Sequence, residues 1–425
     1  MKSLNHIMKL THTFYISSIS LLLSACGGAS SMRHNELATI DVETALQNPS
    51  ELLLSDLGDQ FTYVPLETLD ESLVKLESQS GLTVTDEYIF VGELGRPLLC
   101  FDRSTGKFLR NIGRIGQGPG EYTGSTDVQV DAEAKRIYFA IKGSQYQCYD
   151  YEGNFLHTQT LPPNNFYMGG THFADNKAYA YCNVSNSATT HRAYAYQLPE
   201  GISIDSLALD ERNDSKQKFL MPFRGTETFG GMFFMQEYED GTWTAGNRKN
   251  NTYMSMNGEL YHKDLFCDTL FHMKGLHREE PIAAFHLGSY GGYKRYETSS
   301  GMEGKYLMPR VLYNGEQVYF TLFPGLYDLQ DMRRKSQSGS VFPGCGIYNF
   351  RTGELKVQKE GLNFKHPDEA MPKTCVYTLS TDGSWVAVYQ AYMLVEAREN
   401  IPAEKQPEWL KNLKEDDNPV ILLIQ

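Results

Sequence analysis

Beyond residue 25 the chain has no apolar run near the roughly 20 residues that a membrane-spanning helix needs. It is short of cations too: 39 Lys and Arg stand against 52 Asp and Glu, for a net charge of −13, and the densest basic run, Arg333-Arg334-Lys335, is three residues long. Gripping phosphates by counterion release takes clustered Lys and Arg, so no nucleic-acid partner is expected. Cysteine is sparse. After Cys26 come only Cys100, Cys148, Cys182, Cys267, Cys345 and Cys375, and neither a Cys-x-x-Cys nor a His-Glu-x-x-His spacing occurs, so no transition-metal site is indicated and no cofactor is implied. There is no Gly-x-Ser-x-Gly elbow, and the histidines are scattered, which leaves no nucleophilic triad to nominate. Helix-length apolar periodicity is nearly missing as well.

The first residues are more definite. Lys2 and Lys9 precede the apolar run from Phe14 to Leu23, and Leu23-Ser24-Ala25-Cys26 follows, the layout of an export signal with small residues before its cut site. Leu-Ser-Ala-Cys resembles a bacterial lipobox. The resemblance implies removal of residues 1–25 and lipid on Cys26, which would tether an otherwise soluble protein to a membrane of the cell envelope. Losing two lysines and no acids takes the net charge from −13 to −15. Residues 26–51 are read as the lipidated cysteine and tether, and 52–425 as one folded domain.

From about Phe61 onward, short strands rich in Tyr, Phe, Val and Ile alternate with Gly, Asp and Asn turns. The unit Cys100-Phe101-Asp102-Arg103-Ser104-Thr105-Gly106 returns as Cys148-Tyr149-Asp150-Tyr151-Glu152-Gly153, and a later copy is Ile347-Tyr348-Asn349-Phe350-Arg351-Thr352-Gly353. Four strands are expected at 81–84, 88–92, 97–102 and 107–112, and four more at 126–130, 136–141, 145–150 and 155–161. A repeat of roughly 60 residues gives about six units, each too small to stand alone. The expected fold is therefore all-β, a six-bladed β-propeller of four-stranded antiparallel blades; two packed sheets of a sandwich would not account for the matched strand endings. The apolar run Pro419 to Ile424 reads as a fully covered strand that closes the ring beside Gln60 to Leu66. A short helix opening at Pro407-Glu408, with Trp409, Leu410 and Leu413 on one face, is expected just before it. Cys100 and Cys148 hold the same place in successive repeats, too far apart for a disulfide, so buried free thiols are expected.

Asn111-Ile112-Gly113-Arg114-Ile115-Gly116-Gln117-Gly118-Pro119-Gly120-Glu121-Tyr122 closely resembles the six-bladed β-propeller lipoproteins abundant in gut-type Gram-negative anaerobes. Tyr63-Val64-Pro65-Leu66-Glu67-Thr68, Asp268-Thr269-Leu270-Phe271 and Asp417-Asn418-Pro419-Val420 resemble other segments of that family in the same order. The resemblance spans about residues 52–425. It implies a surface or periplasmic lipoprotein related to NHL-type propellers, and it carries no general activity with it.

The glycine-rich segment has a strand after it where a phosphate-cradling loop needs a helix, and Pro119 removes an amide donor, so it reads as a crossing between blades. Arg114, Gln117, Glu121 and Tyr122 on that crossing are the candidate recognition surface. Propeller lactonases hold a hard cation with carboxylates on the innermost strands; the corresponding candidates here, Asp127, His172, Arg310 and Lys373, include a single carboxylate, a poor set for a hard cation. Asp205-Ser206-Leu207 and Asp268-Thr269-Leu270 match a short O-glycosylation pattern but also read as plain strand starts. The expected function is a lipid-anchored binding or scaffold module for a glycan, a peptide or an envelope protein. The alternative is a channel-centred metal-dependent hydrolase, lactonase or lyase.

Overall fold

The computed structural model describes residues 37–76, 81–124, 128–142, 144–162, 168–185, 188–211, 213–225, 231–247, 252–324 and 343–425. Cys26 and Asp127 lie outside them. The strands form antiparallel sheets in chain order: residues 81–112, 128–160, 168–208, 217–247, 253–286, 306–358 and 363–424. Among the described residues that makes seven sheets rather than six. The addition is the sheet of Gln217–Gly225, Gly231–Tyr238 and Thr242–Asn247, joined by Glu297–Thr298 from much later in the chain. Its strands follow no copy of the Asp-x-x-x-Gly ending, so repeat counting passed over it.

The repeated ending has a local cause. Asp102 accepts the Thr105 amide at 2.8 Å and the Ser104 and Thr105 hydroxyls at 2.7 Å each, and Gly106 turns the chain at φ +72°. These hydrogen bonds, those from Thr105 foremost, hold the Asp102 carboxyl below its usual range. Asp150 does the same for the Asn154 amide at 2.8 Å, and Asn349 for those of Arg351 and Thr352 at 2.9 and 3.1 Å. A side chain on Gly106 would collide with the Pro65 carbonyl, so the turn also sets how closely neighbouring sheets approach.

Six apolar seams join sheets in pairs. Val64, Val386 and Ile421 meet Val84, Ile89 and Phe101 between the last sheet and the first. Phe90, Cys100 and Tyr122 meet Phe139 and Tyr149; Tyr138 and Cys148 meet Phe173 and Tyr196; Tyr181 and Ala195 meet Tyr253 and Met273. Leu270 and Phe285 meet Val318 and Phe320, and Tyr319 and Cys345 meet Trp385 and Leu422. Fully burying one such aliphatic or aromatic side chain contributes roughly 1.5–3 kcal/mol, so these seams supply most of the cohesion between sheets. The 217–247 sheet belongs to none of the six. It packs through Met235, Trp243 and Ala245 on Leu307 and Phe323, and through Phe234 near Val184.

The last sheet is built from both ends of the described chain. Phe61–Pro65 pairs antiparallel with Val420–Ile424, whose five side chains are all buried and whose other edge pairs with Trp385–Tyr389. A short helix, Glu408–Asn412, stands where expected; Leu410 is buried and Trp409 stacks on Tyr63 at 5.2 Å. Residues 38–51 depart from the tether reading. Ala38–Asp41 adds a parallel fifth strand to the 253–286 sheet, and the helix Val42–Gln47 buries Val42 and Leu46 beside it. Three aliphatic side chains within seven residues, Ile40, Val42 and Leu46, are the physical reason this stretch docks.

The six cysteines within the described residues are free thiols, four of them buried. Cys100 and Cys148 sit in different seams, and burial pushes their thiols up to about 12 and about 11.

Candidate functional site

In six of the sheets, the turn between the first two long strands falls at 85–87, 132–135, 175–176, 257–258, 314–316 and 380–384. These turns face one another. The Thr381 hydroxyl donates to Asp86 at 2.8 Å, the Asn176 amide to Asp131 at 3.0 Å, and the Asn314 side chain to the Gly383 carbonyl at 3.3 Å. Five of them enclose a cavity of about 390 Å³, walled by Asp86, Glu87, Glu133, Tyr151, His172 and Ser255 among others.

His172 is the sequence-predicted channel residue that lines this cavity. It sits on the first strand of the 168–208 sheet, and its Nε2 lies 2.6 Å from the Ser255 hydroxyl on the first strand of the 253–286 sheet. Its side chain is half-buried in the cavity wall. That burial holds the imidazole down at about 4, so it is neutral at physiological pH. The pair has the first link of a nucleophile and base, but an imidazole this reluctant to accept a proton is a weak general base near pH 7.

The other channel candidates do not join it. Arg310 is buried and donates to the carbonyls of Val376 (2.9 Å) and Tyr377, which pins the 306–358 sheet to strand Thr374–Leu379 of the last one. Lys373 is exposed and pairs with Glu51 at 2.7 Å beside a separate groove of about 770 Å³ lined by Leu73, Val388, Tyr392 and Asp416. Among the described residues no three His, Cys, Asp or Glu side chains converge as metal ligands.

The crossing that carries Arg114, Gln117, Glu121 and Tyr122 is a tight loop with a structural core. Tyr122 is fully buried, stacks on Phe139 at 4.0 Å, accepts the Leu98 amide at 2.9 Å and donates to the Ile112 carbonyl. It is therefore removed from the recognition surface: its ring fills a seam between sheets. Glu121 folds back to accept the Gly118 amide at 2.9 Å, leaving Arg114 and Gln117 exposed. A Cβ on Gly113, at φ +65°, would sit 2.7–2.8 Å from the Tyr149 and Tyr122 rings, so this glycine answers a close approach. Ser206 and Thr269 both lie within paired strands, opposite Tyr194 and Ala284.

Sequence reasoning missed Tyr151 and Glu87. Repeat alignment offered a signal, because Tyr151 follows Asp150 as Arg103 follows Asp102, and both side chains reach back toward the preceding sheet. Arg103 is engaged there by Asp382 at 2.6 Å, and within its own sheet it donates to the Thr85 carbonyl at 3.0 Å. Tyr151 is 4% exposed, and its hydroxyl has no hydrogen-bond partner. Its burial first, then the nearby charges of Asp131, Glu87 and Asp86, push the phenol far up, so it remains a neutral donor.

Residues 37–425 match the family described as a domain of unknown function, DUF4934. No curated protein matches the chain. Among solved structures, an exported protein of Bacteroides fragilis is similar at 14% identity and a TM-score of 0.59, covering 92% of this chain and 99% of that one. A member of the DUF4221 family from Bacteroides vulgatus is 10% identical with a TM-score of 0.45, covering 89% of this chain and 98% of that one. The WD40 β-propeller domain of Doa1 is 12% identical with a TM-score of 0.35, covering 85% and 97%.

Proposed function

We propose, for a chain that belongs to the DUF4934 family, that six of its seven sheets form a propeller ring that serves outside the cytoplasm as a binding module anchored through lipid on Cys26, with its ligand received in the axial cavity. The ring is supported by the six apolar seams, which return from the last sheet to the first. Export is supported by the layout of residues 1–26 and agrees with the exported protein of similar fold. The single observation that carries the binding role is the cavity itself, which no sheet forms alone, since turns from five of them wall it. The ligand is a peptide, a glycan or an exposed part of an envelope protein.

A photo-crosslinking residue placed at Ala174, on the cavity wall, tests this against one at the exposed Leu109 on an outer strand. In cells, irradiation should give a discrete adduct from position 174 and none from 109. No adduct at 174, or the same adduct from both, would overturn the assignment.

A further inference from the structure

Resting on the axial cavity as the binding site, we infer that the site continues outward as a groove between the 168–208 and 253–286 sheets and takes an extended peptide, one aliphatic side chain of which seats against Ile204. The groove encloses about 340 Å³ and shares Ala174, Asp175, Ser255 and Gly258 with the cavity, so the two meet along a common wall. Its sides are rungs of paired strands. On the 168–208 sheet the rung runs Tyr179, Ala195, Asp205, from the second strand to the fourth; on the 253–286 sheet it runs Ser255, Leu260, Met273, from the first strand to the third. Neighbouring strands lie about 4.8 Å apart, so first strand to fourth is roughly 14 Å, the reach of about four residues of extended chain. Leu260, Met273 and Leu276, at 9%, 5% and 3% exposed, close the floor.

The independent pointer is a β-bulge. In the strand Ile202–Ala208, Ser203 pairs with Tyr196 and Asp205 with Ala195, which leaves Ile204 as the extra residue between them. Successive side chains of a regular strand point to opposite faces, yet Ile204 and Asp205 both line the groove. Re-aiming a side chain beside a site is what such bulges do. Asp205 has a partner within the fold, His277 at 3.3 Å, whereas Ile204 is held 52% exposed at the groove's outer end. An aliphatic contact of this kind favours a peptide over a glycan. A sugar ring packs its C–H face on an open aromatic face, and the ring that lines this groove, Tyr179, is half-buried and lies 5.9 Å from that of Tyr253.

The test selects a phage-displayed library of random dodecapeptides on the purified full chain. Enriched peptides should carry an aliphatic residue at a shared position and bind Ile204→Lys about tenfold more weakly than wild type, the order expected for one lost aliphatic contact. Ile202→Lys is the control: it changes a residue 60% exposed on the same strand but outside the groove wall, and it should bind these peptides as wild type does. Both variants should melt with wild type, since both side chains are exposed. No enrichment, or enriched peptides that bind Ile204→Lys as tightly as wild type or Ile202→Lys as weakly as Ile204→Lys, would overturn the inference. In cells, photo-crosslinking residues at 174 and 204 should trap the same molecule, and mass spectrometry of the 204 adduct should read an amino-acid sequence. A glycan there would overturn the ligand class. An adduct at 174 with none at 204 would overturn the groove alone and leave the axial cavity standing as the site.

Discussion

Replacing Asp264 with asparagine should cost the protein about 3–5 kcal/mol, the range for leaving one member of a buried ion pair without its partner. Asp264 and Arg295 are 9% and 8% exposed, and the Arg295 guanidinium meets the carboxylate at 2.5 Å while also donating to the Asn183 carbonyl at 2.6 Å. The same carboxylate accepts the Tyr181 hydroxyl and, at 2.7 Å, the Phe266 amide. Asparagine keeps the shape but turns an NH2 group toward other donors and leaves the buried guanidinium with only the more exposed Glu211, 3.6 Å from its Nε. Burial alone would push the Asp264 carboxyl up; the Arg295 charge and the Tyr181 hydrogen bond outweigh it and hold it well below the usual range. A carboxyl depressed on folding stabilises fully above its unfolded value of about 3.9, and that contribution drains away as pH falls through the lower folded value. The difference between wild type and Asp264→Asn should thus be constant from pH 7 down to about pH 4 and shrink only below. Urea titration with tryptophan fluorescence measures it, with Trp243 on the added sheet and Trp385 and Trp409 near the last one as joint reporters. The double variant Asp264→Leu with Arg295→Met, which removes both charges, should recover much of the loss. A loss under about 1 kcal/mol for Asp264→Asn would refute the reading that this carboxylate, between Arg295 and the Tyr181 hydroxyl, holds the 253–286 sheet, the segment after it and the 168–208 sheet together.

Tyr122→Phe keeps the stack on Phe139 but strands the buried Leu98 amide, so it should lower stability by about 1–3 kcal/mol in the same titration. Burial raises Asp382, but hydrogen bonds from Ser380, Ser384 and Arg103 hold it at about 2, so Asp382→Asn should remove stability that wild type keeps above about pH 4 and loses as pH falls toward 2, read as converging melting temperatures in acid. Cys26→Ser should move the protein from the membrane pellet to the soluble fraction and end labelling by radioactive palmitate; retention in the pellet would count against the anchor. Thiol-reactive dye should modify Cys100 and Cys148 in the native protein only as fast as it unfolds, because both are buried and burial raises their thiols to about 12 and about 11.

Wherever turn chemistry repeats, the sequence could be read closely. Gly81–Val84, Tyr88–Gly92 and Gln145–Asp150 fall at the expected bounds, because Asp and Gly at fixed offsets terminate strands for local reasons. The pairing of Phe61–Pro65 with Val420–Ile424 was legible too, since a strand apolar on both faces must be covered on both. The sheet at 217–247 was not, because its place depends on Trp243 and Met235 finding Leu307 and Phe323 far along the chain. Strand phase placed His172 on an inner strand, and it does line the cavity. Tyr122 was misassigned because an aromatic on a glycine-rich crossing looks the same in sequence whether it points out or fills a seam. Tyr151 could be noticed only by comparing what it and Arg103 touch, which is a property of the assembled turns.

The sheet shared by the two chain ends imposes an order on synthesis. Phe61–Pro65 emerges early, yet its only strand partner among the described residues, Val420–Ile424, follows more than 350 residues later. Until then the early strand carries an open hydrogen-bonding edge, the kind that recruits other chains. The nascent protein therefore has a long interval in which this early strand needs shelter, and a truncation that removes only Val420–Ile424 should do harm far out of proportion to its length.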